Sequence, residues 1–417
     1  GKSDQIPNGV GKGNLSNNGT FAMGSFSETI NGLSGNGTID GNGATLTVGD
    51  NDATSTFSGV IKNTAGSLGL TKTGNGTLIL SGANTYGNIT TVSAGTLKLG
   101  SATGMSSLST LNATGGVFDL NGFNATVAAV GVGNAAGTIT NSASGSGTNT
   151  LTITNYSVNL ASLITDGATA KTAVTLYNNS AATTLANSNN TFSGGLTLAN
   201  GGGNTRLYQG SVTNTLVNGT LTKSNLGTGT IYIGANGSTG NAQLMLNSGS
   251  VYNNIIVNAA TYSDGGSAAF RIEGTVAFYG TLTAGASDIS FSGHSTGSAT
   301  AYGQLTGTNG LLLKTPSGGL TTLTLNNTAN AANNYSGNTT ISANTILALG
   351  AANQIANGVG KGNLIINSGN FTMGGFSETI NGLSGNGTID GVSGTPTLTV
   401  GDNDATSTFS GVIKNTA

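Results

Sequence analysis

The stretch "LTKTGNGTLILSGANTYGNITTVSAGTLKLG", residues 70–100, decides the fold class. It contains no acid, no His and no Cys, so it offers neither a metal ligand set nor an acid–base pair. One frame, Gly-Thr-apolar-any-apolar, occurs in it twice, as "GTLIL" at 76–80 and "GTLKL" at 95–99. Because strand side chains alternate between two faces, Leu97 and Leu99 are predicted on one face and Lys98 on the other. The stretch therefore predicts short strands with one apolar face.

The same frame returns along the chain at a nearly constant interval. Further copies are "GTFAM" at 19–23, "GTIDG" at 37–41, "STFSG" at 55–59, "GVFDL" at 116–120 and "GTITN" at 137–141. An apolar alternation with this period is typical of a β-solenoid, in which one coil cannot bury its apolar face until others stack on it. We predict an all-β fold, a parallel β-helix with about 20 residues per coil. The predicted structural stack includes Leu78, Leu80, Leu97, Leu99, Phe118 and Leu120.

The composition limits the partners. Only 6% of the 417 residues are charged, the net charge is -2, and no Lys/Arg cluster is present, so neither nucleic acid nor an anionic membrane surface is an expected partner. No apolar run approaches the ~20 residues that span a bilayer, so no membrane insertion by this segment is expected. Without Cys there is no disulfide framework and no Cys-ligated zinc. No cofactor is expected.

The sequence also has a second repeat, whose period is much longer than that of the coils. "FSETINGLSGNGTIDG" at 26–41 returns unchanged at 376–391, and "VGDNDATSTFSGVIKNTA" at 48–65 returns unchanged at 400–417. We therefore expect one continuous β-helix over 1–417, and within it a long tandem unit, 1–349, followed at 350–417 by the start of the next copy. Weaker internal copies divide the long unit into modules at about 1–99, 100–210 and 211–349. A tandem array or end-to-end joining of rods is the expectation, and a single duplication is the alternative.

The densest acid cluster is "GDNDAT", which contains Asp50 and Asp52 and is copied at Asp402 and Asp404. If the segment is extended, both carboxylates leave the same face about 7 Å apart, a separation that could hold Ca²⁺ or serve an inverting glycosidase. The alternative is an Asp/Asn-rich corner capped by its own side chains. No His or Arg lies near in sequence, which favours the corner. These four aspartates are the weak calcium candidates, and no catalytic residue is predicted.

Aromatic residues raise one further possibility. Tyr86, Phe192 and Tyr335 occupy equivalent positions in the three modules, where a sugar-stacking row and the closing of a coil corner are the two interpretations. The single His, His294, has no second His or Cys with which to share a metal and is expected to face solvent. Arg271 is expected on an outward position, where it can pair with Glu273 two positions along.

Residues 70–100, preceded by "STFSGVIKN" at 55–63 and "SETINGLSGNGTI" at 27–39, closely resemble the autotransporter passenger-associated β-strand repeat. "FDLNGFNATV" at 118–127 resembles another stretch common in those proteins. The similarity is strong over 1–145 and 305–417 and weaker between them. It implies a right-handed, three-sided parallel β-helix exported to the surface of a Gram-negative-type cell. The family's translocator barrel is not found in this sequence, so we expect a fragment or another route of export.

These patterns together predict a structural and adhesive extracellular rod or filament that serves cell-surface adhesion, aggregation or a biofilm matrix, and not an enzyme. Its expected partners are itself, through end-to-end or lateral self-association, and glycans or cell surfaces. Two alternatives remain open. One is a β-helical polysaccharide lyase or hydrolase, and the other is a passive spacer that displays an effector domain outside this chain.

Overall fold

The computed structural model describes residues 1–131, 136–154, 159–177, 183–199, 204–235, 241–258, 268–316, 318–319, 321–329 and 331–416. Every regular element in these ranges is a β-strand. Frequent Gly, Asn, Thr and Ser disfavour helix formation and favour turns between short strands. Across the described part of the chain, no helix has the length and hydrophobicity needed to cross a lipid bilayer.

The chain forms two compact units. Unit 1 comprises Gly1–Leu196 and Thr222–Thr228, and unit 2 comprises Thr197–Leu221 and Gly229–Ala417. The predicted module boundaries at about 99, 210 and 349 stay predictions.

Unit 1 contains twenty strands among its described residues: β1 Leu15–Ser16, β2 Thr20–Gly24, β3 Glu28–Ile30, β4 Leu33–Ser34, β5 Thr38–Gly41, β6 Ala44–Val48, β7 Ser55–Phe57, β8 Val60–Lys62, β9 Leu68–Lys72, β10 Thr77–Leu80, β11 Thr90–Val92, β12 Thr96–Leu99, β13 Thr110–Ala113, β14 Val117–Asp119, β15 Ala125–Val127, β16 Ala129–Val130, β17 Thr138–Thr140, β18 Thr148–Ile153, β19 Leu163–Ile164 and β20 Lys171–Tyr177. The boundaries between the units fall within β21 Leu196–Ala199 and β24 Thr220–Ser224, and unit 2 also holds β22 Asn204–Gln209 and β23 Asn214–Val217.

The remaining strands of unit 2 are β25 Ile231–Ile233, β26 Asn241–Val251, β27 Ile255–Val257, β28 Phe270–Phe278, β29 Leu282–Ala284, β30 Ile289–Gly293, β31 Gly297–Ala301, β32 Leu305–Gly307, β33 Leu311–Leu313, β34 Thr321–Leu325, β35 Thr339–Ile341, β36 Thr345–Leu349, β37 Leu364–Ile366, β38 Asn370–Thr372, β39 Glu378–Ile380, β40 Leu383–Gly385, β41 Thr388–Asp390, β42 Leu398–Val400 and β43 Val412–Lys414.

In unit 1 the first three windings contribute three strands each: β1–β3, β4–β6 and β7–β9. Each strand pairs in parallel with its counterpart one winding later, β1 with β4, β2 with β5 and β3 with β6. Thr20 is aligned with Thr38 in a short winding, whereas Ala125 is aligned with Leu151 in a longer one. The predicted parallel β-solenoid is confirmed. The windings are not equally long, because the corners between their strands differ in length.

Unit 2 is built on the same parallel pairing. Strands β25, β27, β29 and β32 form one run, and β28, β31, β34, β36, β38, β41 and β43 form another. Asn370 is aligned with Thr388 after a short stretch of chain, whereas about twice as many residues separate Asn204 from its partner Asn241. The long strands β26 and β28 pass a corner without a break, with a register shift between Leu246 and Ser248.

The recurring Gly-Thr-apolar frame does not stay on one face. "GTFAM" and "GTIDG" supply β2 and β5, which pair with each other and then with β8. "STFSG" supplies β7 on a different face, where it pairs with β10 of "GTLIL". The copies of the frame that start at 37 and 55 are therefore not one winding apart. Any strand that alternates apolar and polar residues after a tight corner has this sequence frame, whichever face of the solenoid the strand belongs to.

Alternation places the core inside each winding. The burial of β6 alternates strictly, with Ala44, Leu46 and Val48 inside and Thr45 and Thr47 partly exposed. The same alternation holds in β34 and β36 of unit 2. Because each inward residue lies over an inward residue of the previous winding, the core is a continuous column of side chains within each unit.

Candidate functional site

The contact between successive windings is the first candidate, since a stacked scaffold works through it. Leu78, Leu97 and Phe118 are aligned on β10, β12 and β14, and all three are buried. Leu80 is aligned with Leu99, and Leu120 is buried directly after β14. Burying each such side chain stabilises a protein by about 1.5–3 kcal/mol. This column therefore supplies cohesion and contains no reactive group.

Corner glycines let the windings approach closely. A Cβ atom on Gly37 would lie 2.1 Å from the carbonyl oxygen of Gly19, one on Gly59 would lie 1.9 Å from that of Gly37, and one on Gly82 would lie 1.8 Å from that of Gly59. None of these four glycines has the left-handed backbone that favours glycine for conformational reasons. Close approach of the backbone is thus the reason for glycine at Gly37, Gly59 and Gly82.

The aspartate pairs form capped corners. Asp52 has a positive φ of 60°, and its Oδ1 accepts a hydrogen bond of 2.6 Å from the backbone N–H of Asn75, one winding later. Asp404, its copy, also has a positive φ, 58°. Asp50 and Asp402 are exposed. These contacts favour the corner interpretation over a Ca²⁺ site. Among the described residues, no group of three His, Cys, Asp or Glu is placed to hold a metal ion.

Of the two interpretations of Tyr86, Phe192 and Tyr335, the sugar-stacking row is wrong, because all three rings are completely buried. The Tyr86 hydroxyl lies 2.8 Å from Thr90 Oγ1, and the Tyr335 hydroxyl lies 2.5 Å from Thr339 Oγ1. Burial raises the pKa of the Tyr86 phenol strongly and raises that of Tyr335 to about 12. No sugar can stack on these rings. Each aromatic residue fills the inside of a winding. The hydroxyl of each tyrosine is hydrogen-bonded there to a threonine four residues later in the chain.

A buried carboxylate occupies the same place in both copies of the "SETING" segment. Glu28 accepts hydrogen bonds from the backbone N–H groups of Gln5 at 3.1 Å and Ile6 at 2.6 Å. Glu378 accepts them from Gln354 at 2.8 Å and Ile355 at 3.0 Å. Burial raises the pKa of Glu378 to about 7, although these backbone N–H groups and that of Thr379 partly oppose the shift. Each of these two carboxylates therefore holds the backbone of the preceding winding in place.

Three positions later, a buried asparagine holds a loop. The Asn381 side-chain amide donates to the carbonyl groups of Gly358, Lys361 and Gly362, and its Oδ1 accepts from the N–H of Gly358. Asn31 makes the equivalent four hydrogen bonds in the first copy. The repeat is visible in the sequence, whereas this role of its Glu and Asn was not predicted. A Glu and an Asn kept at a spacing of three in both copies were the available signal.

Lys72 is a buried cation at another corner. Its Nζ donates to the carbonyl oxygens of Thr73 at 2.5 Å, Gly74 at 2.8 Å and Ala94 at 3.4 Å. Burial lowers the pKa of the amine to about 8, while the negative charge of Asp52 partly offsets the shift. The amine therefore satisfies carbonyl groups of two windings.

Ion pairs bind neighbouring strands at the surface. Asp40 pairs with Lys62 at 3.6 Å, and the copies Asp390 and Lys414 pair at 3.3 Å. The predicted pairing of Arg271 with Glu273 is confirmed. His294 is exposed. Ion pairs at the surface of a protein typically contribute about 1 kcal/mol or less each.

An aromatic ladder is present at a place that sequence analysis missed. Tyr252 and Tyr279 stack with ring centroids 4.7 Å apart and planes 7° from parallel, and Tyr279 and Tyr302 stack at 4.9 Å and 9°. The Tyr279 side chain is 41% exposed. Partial burial raises the pKa of the Tyr279 phenol, and the neighbouring phenols of Tyr252 and Tyr302 raise it further. The available signal was the triplet "VYN", "FYG" and "AYG" at 251–253, 278–280 and 301–303.

Comparison with known proteins agrees with this geometry. The family described as the passenger-associated-transport-repeat matches residues 70–99, which run from β9 to β12. Residues 70–99 are thus similar to a passenger-associated repeat. The resemblance seen in the sequence is thereby confirmed.

The chain is also similar to a named adhesin. The chain is 42% identical over 102 residues to the adhesin BmaC autotransporter of Brucella suis biovar 1 (strain 1330). The match covers 24% of this chain and 3% of that adhesin. No solved structure matches the chain.

Proposed function

We propose that this chain is part of the stalk of an adhesin-type passenger, exported across an outer membrane and displayed outside the cell. The observation that carries the proposal is the winding-to-winding register, in which Leu78, Leu97 and Phe118 stack in line, so that each of these three windings completes the core of its neighbour. The passenger repeat at 70–99 and the adhesin relative support the same conclusion.

An adhesive role is proposed for the walls of the solenoid. With 6% charged residues and a net charge of -2, the surface consists mainly of uncharged Asn, Thr and Ser side chains, so two such walls meet with little charge repulsion. The proposed partners are therefore a second copy of the chain, through lateral or end-to-end association, together with glycans or cell surfaces. Aggregation and a biofilm matrix are the proposed outcomes.

The contacts of the acids favour this function over a polysaccharide lyase or hydrolase. Glycosidases use two carboxyl groups that flank the scissile bond. Here Glu28 and Glu378 accept backbone N–H groups inside the wall, and Asp40 and Asp390 are each engaged by a threonine and a lysine. Asp52 caps a corner. These carboxylates hold the scaffold, which is why a non-enzymatic role is proposed.

The test is display of the chain alone, fused to an unrelated translocator, on a non-aggregating Gram-negative host. We expect cells to sediment together and to attach to glycan-coated surfaces. Aggregation only after a separate binding domain is added would support the spacer alternative, and release of sugar fragments from polysaccharides would support the enzyme. Either result would overturn the adhesive proposal.

Two substitutions in adjacent strands provide a matched control. Leu97→Asp places a charge in the buried column, whereas Ile79→Asp places one on the outward side of β10, beside Lys98. The first is expected to abolish both folded display and aggregation. The second is expected to preserve folding, so any loss of aggregation in it reports on the wall surface.

A further inference from the structure

The tyrosine ladder of unit 2 is positioned by the backbone. Val251, Phe278 and Ala301 are aligned in β26, β28 and β31, and a tyrosine directly follows each of them. The backbone N–H of Tyr279 donates to Val251 O at 2.8 Å, and that of Tyr302 donates to Phe278 O at 2.8 Å. Three phenols are thus held at the same corner of three successive windings.

A glycine directly follows Tyr279 and Tyr302, and its lack of a side chain lets the backbones of neighbouring windings approach closely. A Cβ on Gly280 would lie 2.0 Å from the carbonyl oxygen of Asn253, and one on Gly303 would lie 2.0 Å from that of Gly280. The ring centroids stay 4.7 and 4.9 Å apart for the same reason. Since Tyr279 is substantially exposed, a reagent in solution can reach the middle ring.

This arrangement suits a bond-forming reaction between rings. Two phenoxyl radicals couple through ring carbons ortho to the carbon that bears the oxygen, and the reaction is slow in solution because both radicals are rare. Holding the rings face to face makes the coupling intramolecular. The stacked geometry leaves the middle ring with a neighbour on either face, so Tyr279 can react in two directions.

We propose that Tyr252, Tyr279 and Tyr302 form an oxidative cross-linking site at which hydrogen peroxide and a haem-type peroxidase join Tyr279 to one neighbour as dityrosine. Each of the two phenols loses one electron and one proton to the oxidant, and the two radicals form a carbon–carbon bond between ortho positions. The two ortho hydrogens then move to the phenol oxygens as the rings regain aromaticity. In balance, two tyrosines and one hydrogen peroxide give one dityrosine and two waters.

The product would fasten neighbouring windings covalently. A bond from Tyr252 to Tyr279, or from Tyr279 to Tyr302, closes a loop of one winding and reduces the freedom of the unfolded chain. Oxidised protein should therefore resist denaturation of unit 2 better than untreated protein. Extracellular peroxide would strengthen the scaffold instead of damaging it.

The experiment treats the purified chain with hydrogen peroxide and a haem peroxidase, and measures dityrosine fluorescence and cross-linked tryptic peptides. Trypsin cleaves after Arg271, which separates Tyr252 from Tyr279, so a Tyr252–Tyr279 bond joins two peptides and lowers their summed mass by two hydrogens. We expect this species in monomeric protein, together with a higher urea midpoint for unit 2.

Variants make the assignment specific. Tyr279→Phe keeps the ring and removes the middle phenol, and it should reduce dityrosine yield several-fold. Tyr232→Phe, which removes a partly exposed phenol from β25, should leave the yield unchanged. Equal yields in the two variants, or dityrosine found only between separate copies of the chain, would overturn the proposal. The peptide mapping of the unmodified sequence tests it independently of either variant.

Discussion

At the scale of single residues, the polar groups inside this solenoid replace hydrogen bonds that the short strands leave unmade. Glu28, Glu378, Asn31 and Asn381 each satisfy backbone groups of the preceding winding. A buried polar side chain is tolerated when its hydrogen bonds are made and is costly otherwise. These residues therefore determine how the corner loops lie.

The buried carboxyl of Glu378 predicts a pH dependence of stability. Its pKa rises from an ordinary value of 4.5 to about 7 on folding, so the folded state binds the proton more tightly than the unfolded chain. The stability from this proton is fully present below pH 4.5 and is lost as the pH rises towards 7. The expected loss is about 3 kcal/mol.

Urea unfolding of unit 2 between pH 4 and 8 measures this effect. In Glu378→Gln the position cannot ionise, so the difference in stability between the variant and the unmodified protein should change across this range. Parallel pH profiles for the two proteins would contradict the assignment.

At the scale of the element, the corners matter as much as the strands. The column of Gly19, Gly37, Gly59 and Gly82 shows where successive windings touch through their backbones. The abundance of glycine in the composition indicates turns. The structure adds that three of these glycines are required by contact between windings and not by a left-handed backbone.

A pair of alanine substitutions tests this distinction. Gly59→Ala places a methyl group where the carbonyl oxygen of Gly37 is 1.9 Å away, and should destabilise unit 1 by about 1–3 kcal/mol. Gly19→Ala meets nothing within 4 Å and should change stability by less than about 0.5 kcal/mol. Denaturant midpoints give both values. Equal effects of the two substitutions would mean that close approach is not the reason for glycine.

The strands themselves were predictable from sequence, whereas their partners were less so. Alternation in "GTLIL" and "GTLKL" predicted the inward Leu78 and Leu97, because the period of two is local. The face on which "STFSG" lies was not predictable from the same frame, since it depends on how long each corner is. The sequence left open whether Tyr86 lies on the surface or closes a corner, because its burial depends on a partner for the hydroxyl, here the threonine four residues later.

At the scale of the whole molecule, the repeated sequence gives the same local structure in two settings. Ile61 in β8 is completely buried, while its copy Ile413 in β43 is 62% exposed. In the first copy β9 pairs with β6, and Leu68 packs at Gly41. In the second copy a cavity of about 600 Å³ lies at the corresponding place, lined in part by Ile389, Leu398 and Ile413.

This difference predicts the effect of adding one winding and a half. Joining a copy of residues 66–99 after Ala417 should cover Ile413 and raise the free energy of unfolding of unit 2 by about 2 kcal/mol or more. Chemical denaturation checks the gain. An extension in which the residues copied from Leu68 and Leu70 are Asp serves as the control and should give none. A gain in both extensions would show that length alone, and not burial of Ile413 and the other residues that line the cavity, is responsible.

The pairing of β3 with β6, and of β39 with β42, has a practical consequence. Glu28 faces Leu46 and Glu378 faces Leu398, although "GVSGTP" in the second copy replaces the shorter "GNGA" of the first. The insertion was therefore absorbed at a bend without moving the strands beyond it. Bends of this kind tolerate changes of length that straight segments do not. Such a protein can diversify at its bends while the pairing of its strands is preserved. Foreign epitopes grafted into a bend, for example between Asp390 and Leu398, would be presented without disturbing the scaffold.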